Sequence, residues 1–267
     1  MSSPAHGGLE SVGEPWRVLG RRVVHLAETA STMDEVWRRS REDEGEGLVV
    51  VADAQSAGRG RHGRQWTSAP GQDLLLSVLA KPRPSFAHEL LIMASLACAA
   101  AAYAACGREM RIKWPNDVRC DGLKLAGVLA ESRQDADGIA VVIGIGLNVN
   151  MDPALGYGAP GATSLRSITG RSHSRADVLR TVLDEMDSMY SALRSGETLV
   201  PEWRRALETI GQPVTVSSAD PRAPGVIVEG IARDVDDQGR LLVEGADGMT
   251  RAVAAGEVTL RIPSGEG

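Results

Sequence analysis

Between Glu89 and Ala105 the chain runs through leucine, methionine and, above all, alanine, with a single charged side chain at its start. This stretch is too long for an ordinary strand. It is also rich in the strongest helix formers. Its small side chains point to a helix packed closely on a sheet, and short apolar runs on either side supply the strands. Leu48-Val49-Val50-Val51, within 47–52, reads as a buried strand. Val23 to Leu26 and Leu74 to Leu79 read as strands, the latter ended by Pro82 and Pro84. Ile112 to Trp114 and Leu123 to Glu131 read as strands flanking a turn at Pro115-Asn116-Asp117, and Ile139 to Asn148 is a continuous apolar strand.

Ser31-Thr32-Met33-Asp34 resembles a helix start, with an acidic side chain at the positive end of the dipole, and predicts a helix over 32–41. The clearest helix spans Ser174 to Ser195. Val178, Leu179, Val182, Leu183, Met186, Met189, Tyr190 and Leu193 form its apolar face, with Ser174 as N-cap and Gly196 just past the end. Pro201 opens a second, short helix through Trp203 and Leu207. From Gly211 the pattern changes to short strands at Val214–Val216, Val226–Val228, Leu241–Val243 and Val258–Leu260, separated by Gly, Asp and Pro turns. A small barrel is expected there. The expected organisation is a disordered tail over 1–15, a large domain over 16–210 and a small one over 211–267.

The 267 residues and 43% hydrophobic content suffice for a large core. Net charge is −6, from 35 acidic against 29 basic side chains, which argues against a general nucleic-acid binder but leaves room for a local basic site. Cys98, Cys106 and Cys120 have no zinc spacing and read as ordinary thiols of a reducing compartment. No secretory signal or membrane span is evident, so a cytoplasmic protein is expected.

That local basic site is Gly58-Arg59-Gly60-Arg61-His62-Gly63-Arg64-Gln65-Trp66. The glycines let backbone approach a ligand closely. The arginines carry forks that match phosphate and carboxylate oxygens. Trp66 offers a flat face for a base. A solvated basic loop or an RGG-like nucleic-acid segment is the plain alternative. Lys113-Trp114-Pro115-Asn116-Asp117 sets a cation beside a carboxylate suited to Mg²⁺, although an exposed turn has the same composition. Lys124 sits inside an apolar run, where burial would demand a partner, or else points to solvent. Asn148 and Asn150 end a buried strand, and an Asn amide can read an adenine edge.

In this order the segments Ser31-Thr32, Gln55, Gly58 through Trp66, Lys113 through Asp117, Lys124 with Gly127, and Gly144 through Asn148 resemble the biotin protein ligase family. The resemblance covers about Trp16 to Ile262. It implies an α+β fold, a mixed sheet with packed helices of the class II synthetase-like type, followed by an SH3-like β-barrel. It also implies two steps. Biotin and ATP give biotinyl-5′-AMP, and a lysine of a biotin carboxyl carrier domain then takes the biotin. By matching position, Ser31, Thr32, Met33, Gln55, Arg59, Gly60, Arg61, Lys124 and Gly127 would bind biotin. Arg61, His62, Arg64, Trp66, Lys113 and Asn148 would bind ATP, and Asp117 would hold Mg²⁺. Lys124, Arg59 and Arg61 would carry the catalysis.

Met33 departs from the family pattern, which often has asparagine there, so one polar contact to biotin's ring is expected to be missing. About fifteen residues precede the catalytic region, too few for the DNA-binding helix-turn-helix of some relatives, so a monofunctional ligase that binds neither DNA nor membrane is expected. A lipoate or octanoate ligase or transferase of related fold is the nearest alternative. A non-enzymatic anion or nucleic-acid binding module is the alternative of another class.

Overall fold

A computed structural model describes residues 9, 16–41, 45–135, 138–155, 158, 160–218, 225–254 and 256–260. The tail expected over 1–15 lies outside the described residues, except for Leu9, which is buried.

β1 (Arg22–Thr29), β2 (Leu48–Gln55), β3 (Leu74–Ala80), β4 (Arg111–Lys113), β5 (Asp117–Cys120), β6 (Leu123–Asp135) and β7 (Gly138–Leu147) form one seven-stranded sheet, ordered β1-β2-β3-β7-β6-β5-β4. β1 and β2 are parallel, while the other neighbours are antiparallel. The sheet is therefore mixed. Its central strands are continuous apolar runs because both faces are covered. Side chains alternate between those faces. Val49 and Val51 join one core with Leu76 and Ile143, whereas Leu48 and Val50 join the other with Leu79 and Val142.

The second face is covered by α1 (Thr32–Arg39), through Met33, Val36 and Trp37. The first is covered by α2 (Glu89–Cys106) and α4 (Arg175–Ser195), which pack on each other. By length and composition α2 could cross a membrane, yet most of it is buried inside this fold. A helix apolar all round takes such a place. The caps on α4 match the sequence. Ser174 Oγ accepts from Asp177 N at 3.2 Å, and Gly196 takes a left-handed φ of 99°. α3 (Leu165–Thr169) is a short helix that the sequence pattern did not reveal, and α5 (Val200–Ala206) begins around Pro201.

The C-terminal strands β8 (Pro213–Ser217), β9 (Val226–Val235), β10 (Leu241–Glu244), β11 (Thr250–Val253) and β12 (Glu257–Leu260) form an antiparallel sheet, ordered β11-β10-β9-β8-β12. Among the described residues no ladder joins β11 to β12, so the expected barrel is seen as an open five-stranded sheet. Two strands escaped the sequence reading. β5 was expected as part of a turn, but its short run becomes a strand through ladders to β4 and β6. β11 exposes Thr250, Arg251 and Ala252, so it carries no apolar run.

The two sheets share a core. Val214, Val216, Ala232, Leu241 and Val243 cluster with the apolar side chains of α2 and α4. Across the junction, buried Trp114 donates its indole N–H to the Gly239 carbonyl at 3.0 Å.

Candidate active site

The N-terminus of α1 opens onto the sheet. Ser31 occupies the cap position with extended backbone, but its side chain makes no capping hydrogen bond. Gln55, at the end of β2, takes over that task. Its Oε1 accepts from Thr32 N at 2.7 Å and from Thr32 Oγ1 at 3.0 Å. Thr32 Oγ1 and Ser77 Oγ on β3 share a further hydrogen bond of 2.8 Å. An orphan donor of the first turn is thus satisfied by an amide from another strand, and three candidate residues meet at one wall. Beside them, Met33 packs over Gly144, where an added Cβ would lie 2.8 Å from the Met33 sulfur.

The Gly/Arg loop closes on itself at its base. Trp66 N donates to the Gly58 carbonyl at 3.0 Å and Gly60 N to the Arg64 carbonyl at 2.7 Å, with a single 3₁₀ turn over Arg61–Gly63. A side chain at Gly58 would put Cβ 2.6 Å from the Trp66 carbonyl oxygen, so this turn requires glycine. The side chain of His62 lies outside the described residues. Trp66 lies flat over two sheet glycines. A Cβ would come within 3.0 Å of the ring at Gly127 and 2.4 Å at Gly146. Its indole nitrogen is buried with no hydrogen-bond partner.

Lys124 is held through its backbone on both edges. Its N–H donates to the Gly161 carbonyl at 2.8 Å, and its carbonyl accepts from Thr163 N at 2.8 Å. The side chain neither dangles in solvent nor sits alone. Nζ is 2.6 Å from Asp117 Oδ1 and 5.6 Å from the centre of the Trp66 ring. Arg61 donates to Asn116 Oδ1 at 3.0 Å and to the Gly256 carbonyl of the C-terminal sheet at 3.1 Å. Arg59 instead pairs with Asp34 at 2.6 Å and Glu131 at 3.2 Å, so its charge is already met by carboxylates. Asn148 is buried and donates its amide N–H to the Thr163 carbonyl at 2.9 Å, which holds the strand-end loop in place. Asp73 braces the same loop, accepting from Val149 N and Met151 N. Burial pushes its carboxyl above the usual range, against the pull of hydrogen bonds from Ser68 and from backbone N–H groups.

All of the candidate site residues whose side chains are described line a single cavity of about 670 Å³, roughly the size of a nucleotide-scale ligand site. Its wall carries Arg59, Arg61, Arg64, Lys113, Arg119 and Lys124, against Asp117 as the one acidic side chain among the described lining residues. Sequence reasoning missed Asn116, Arg119, Ser77 and Val258, together with Gly158, Pro160, Gly161 and Ala162. Asn116 alone left a trace, standing inside the Lys-Trp-Pro-Asn-Asp block. Among the described residues no group of three His, Cys, Asp or Glu side chains forms a metal cage. Mg²⁺ commonly binds through one or two carboxylates plus substrate phosphates. Asp117 therefore fits as a single ligand to an ion arriving with a nucleotide, and a dedicated protein cage does not fit.

The model of the Biotin/lipoate A/B protein ligase family matches residues 26–148, and that of the Biotin protein ligase C terminal domain matches residues 209–261. The chain is 35% identical to a biotin–[acetyl-CoA-carboxylase] ligase of Mycobacterium tuberculosis, over 94% of this chain and 91% of that protein. It is 30% identical to a bifunctional ligase/repressor of Bacillus subtilis, covering 89% of this chain and 74% of the relative. Among solved structures, the biotin protein ligase from Aquifex aeolicus in complex with biotin and ATP superposes with a TM-score of 0.73 at 26% identity, over 90% of this chain and 99% of that one.

Proposed function

This chain belongs to the biotin protein ligase family, and on that premise we propose that its cavity joins biotin to ATP and passes the activated acid to a lysine of a biotin carboxyl carrier domain. The observation that carries this reading is the cationic wall, with Asp117 as its one described acid, in a chain of net charge −6. Two anions must meet in the first step. A biotin carboxylate oxygen attacks the α-phosphorus of ATP, the P–O bond to the β-phosphate breaks, and pyrophosphate leaves. In the second step the neutral ε-amine of the carrier lysine attacks the acyl carbon. The acyl–phosphate bond breaks, AMP departs, and the amine loses a proton as the amide forms.

No protein nucleophile is required, so the chain's work is electrostatic and positional. Lys124, locked through its backbone, is suited to leave Asp117 for the biotin carboxylate and then to stabilise charge near the phosphorus. Arg61, Arg64 and Lys113 would face the phosphates. Thr32, Gln55 and Ser31 form the polar wall for biotin's ring, with Met33 supplying packing in place of a hydrogen bond. Gly60 would allow close approach of the ligand, and Gly127 makes room for the Trp66 ring and the Lys124 side chain that face it. Trp66 offers its open face to adenine, and the side-chain Oδ1 of Asn148 would accept from an exocyclic amine. When bound, Mg²⁺ would neutralise phosphate charge beside Asp117.

Three further features belong to the same reading. The catalytic unit spans 16–210 and the C-terminal unit 211–267, the latter closing as an SH3-like barrel. The protein works in the cytoplasm.

The experiment is biotin-dependent exchange of labelled pyrophosphate into ATP, repeated with lipoate and followed by transfer to a carrier domain. Exchange with biotin alone is expected. Exchange with lipoate and none with biotin would replace this substrate assignment.

A further inference from the structure

Arg59 stands at the base of the Gly/Arg loop, bridged to Gln65 across it. Its guanidinium joins two walls of the site. One nitrogen pairs with Asp34 in the first turn of α1 at 2.6 Å, and the other with Glu131 on β6 at 3.2 Å. Glu131 is itself held in place. Its carboxylate accepts the indole N–H of buried Trp37 at 3.3 Å, and Arg133 covers that ring at 4.1 Å. Neither Asp34 nor Glu131 lines the cavity. Their charge therefore acts on the loop and not on a ligand.

We infer that Asp34 and Glu131 are positioning residues that clasp Arg59 and set how long the loop stays shut over the acyl-adenylate. The inference rests on the ligase reading only for the identity of what is enclosed. A mixed anhydride must be kept from water and from stray amines until its carrier arrives, and the loop carries a charge anchored to both neighbouring walls. The clasp grips the loop at its base, where Arg59 bridges to Gln65, and leaves Arg61 to its own contacts with Asn116 and Gly256.

The test compares the full-length chain with the Asp34→Asn/Glu131→Gln double variant. Ligand-free protein is treated with trypsin, and cleavage after Arg59, Arg61 or Arg64 is followed by mass spectrometry. Two half-exposed ion pairs correspond to a change of about three- to tenfold, so the variant's loop should be cut faster by that factor. With biotin and ATP, preformed adenylate should escape faster by about the same factor, read as biotinylation of a bystander protein. Pyrophosphate exchange should change far less. Asp34→Glu alone, which keeps both carboxylates, should retain the parent's slow cleavage and adenylate retention. Parental cleavage and retention in the double variant overturn the inference, as does faster cleavage with unchanged retention. If the parent forms no adenylate from biotin, the ligase reading fails instead, and the ligand-free cleavage rates still decide the clasp.

Discussion

Lys124 shows how a single side chain is made ready by its backbone. Both of its peptide groups are tied to the 161–163 segment, so the ammonium swings from a fixed root. Lys124→Ala should lower pyrophosphate exchange by about 10²–10³-fold, the usual cost of removing a preorganised charge partner. The fold should survive, because Asp117, 28% exposed, is rehydrated when its partner goes. A thermal midpoint that collapses with the activity would assign Lys124 to structure instead. Gly146 offers a second test at this scale. Gly146→Ala would place a methyl 2.4 Å from the Trp66 ring and lift it from the sheet. Stacking on an aromatic face contributes about 1–3 kcal/mol, so the KM for ATP should rise about tenfold with a smaller change for biotin. The candidate residues were legible in the sequence because their chemistry is unusual in its context, such as arginines among glycines or a lysine in an apolar run. Their partners were not legible. Nothing local tells that Arg59 would meet Asp34 and Glu131 while Arg61 reaches Asn116.

At the scale of elements, α1 depends on Glu35. Its carboxylate takes Arg38 and Arg39 in the following turn at 2.7 Å each. The hydrogen bond from Arg38 leads in holding its pKa down to about 2, with partial burial opposing and Arg39 assisting. A carboxylate depressed by folding stabilises the native state above its unfolded value and loses that contribution as pH falls through the folded one. Glu35→Gln should therefore cost about 1 kcal/mol at pH 7, the upper range for exposed pairs. That difference should vanish between about pH 4.5 and pH 2 in denaturant titrations. A cost that persists at pH 2 would mean that packing, and not charge, supplies it. In α4, Ser174→Ala should cost about 1 kcal/mol of stability, since Ser174 Oγ satisfies the Asp177 N–H. A midpoint unchanged in urea would contradict this. α4 was readable end to end because its stripe and caps are local. β5 was not, since its strand character comes from its neighbours.

Across the whole molecule, the two sheets are joined by an apolar core rather than by a tether. Heat or denaturant should unfold them in a single transition, with calorimetry and far-ultraviolet circular dichroism coinciding. Two resolved transitions would show that the shared core does not couple them. Trp114→Ala, at the junction and 2% exposed, should cost about 3–5 kcal/mol and shift both sheets together. By itself, the sequence determined which segments would be strands and helices wherever the hydrophobic period was strong, and it singled out charged residues that the fold brings to one cavity. Periodicity and side-chain chemistry are local properties, carried by each residue into any fold. Only the tertiary structure decided that β1 pairs parallel with β2, that the C-terminal sheet reaches Arg61 through Gly256, and that Gln55 rather than Ser31 completes the first turn of α1. Those outcomes depend on which distant groups are brought within hydrogen-bond range, and packing sets that distance where local sequence cannot.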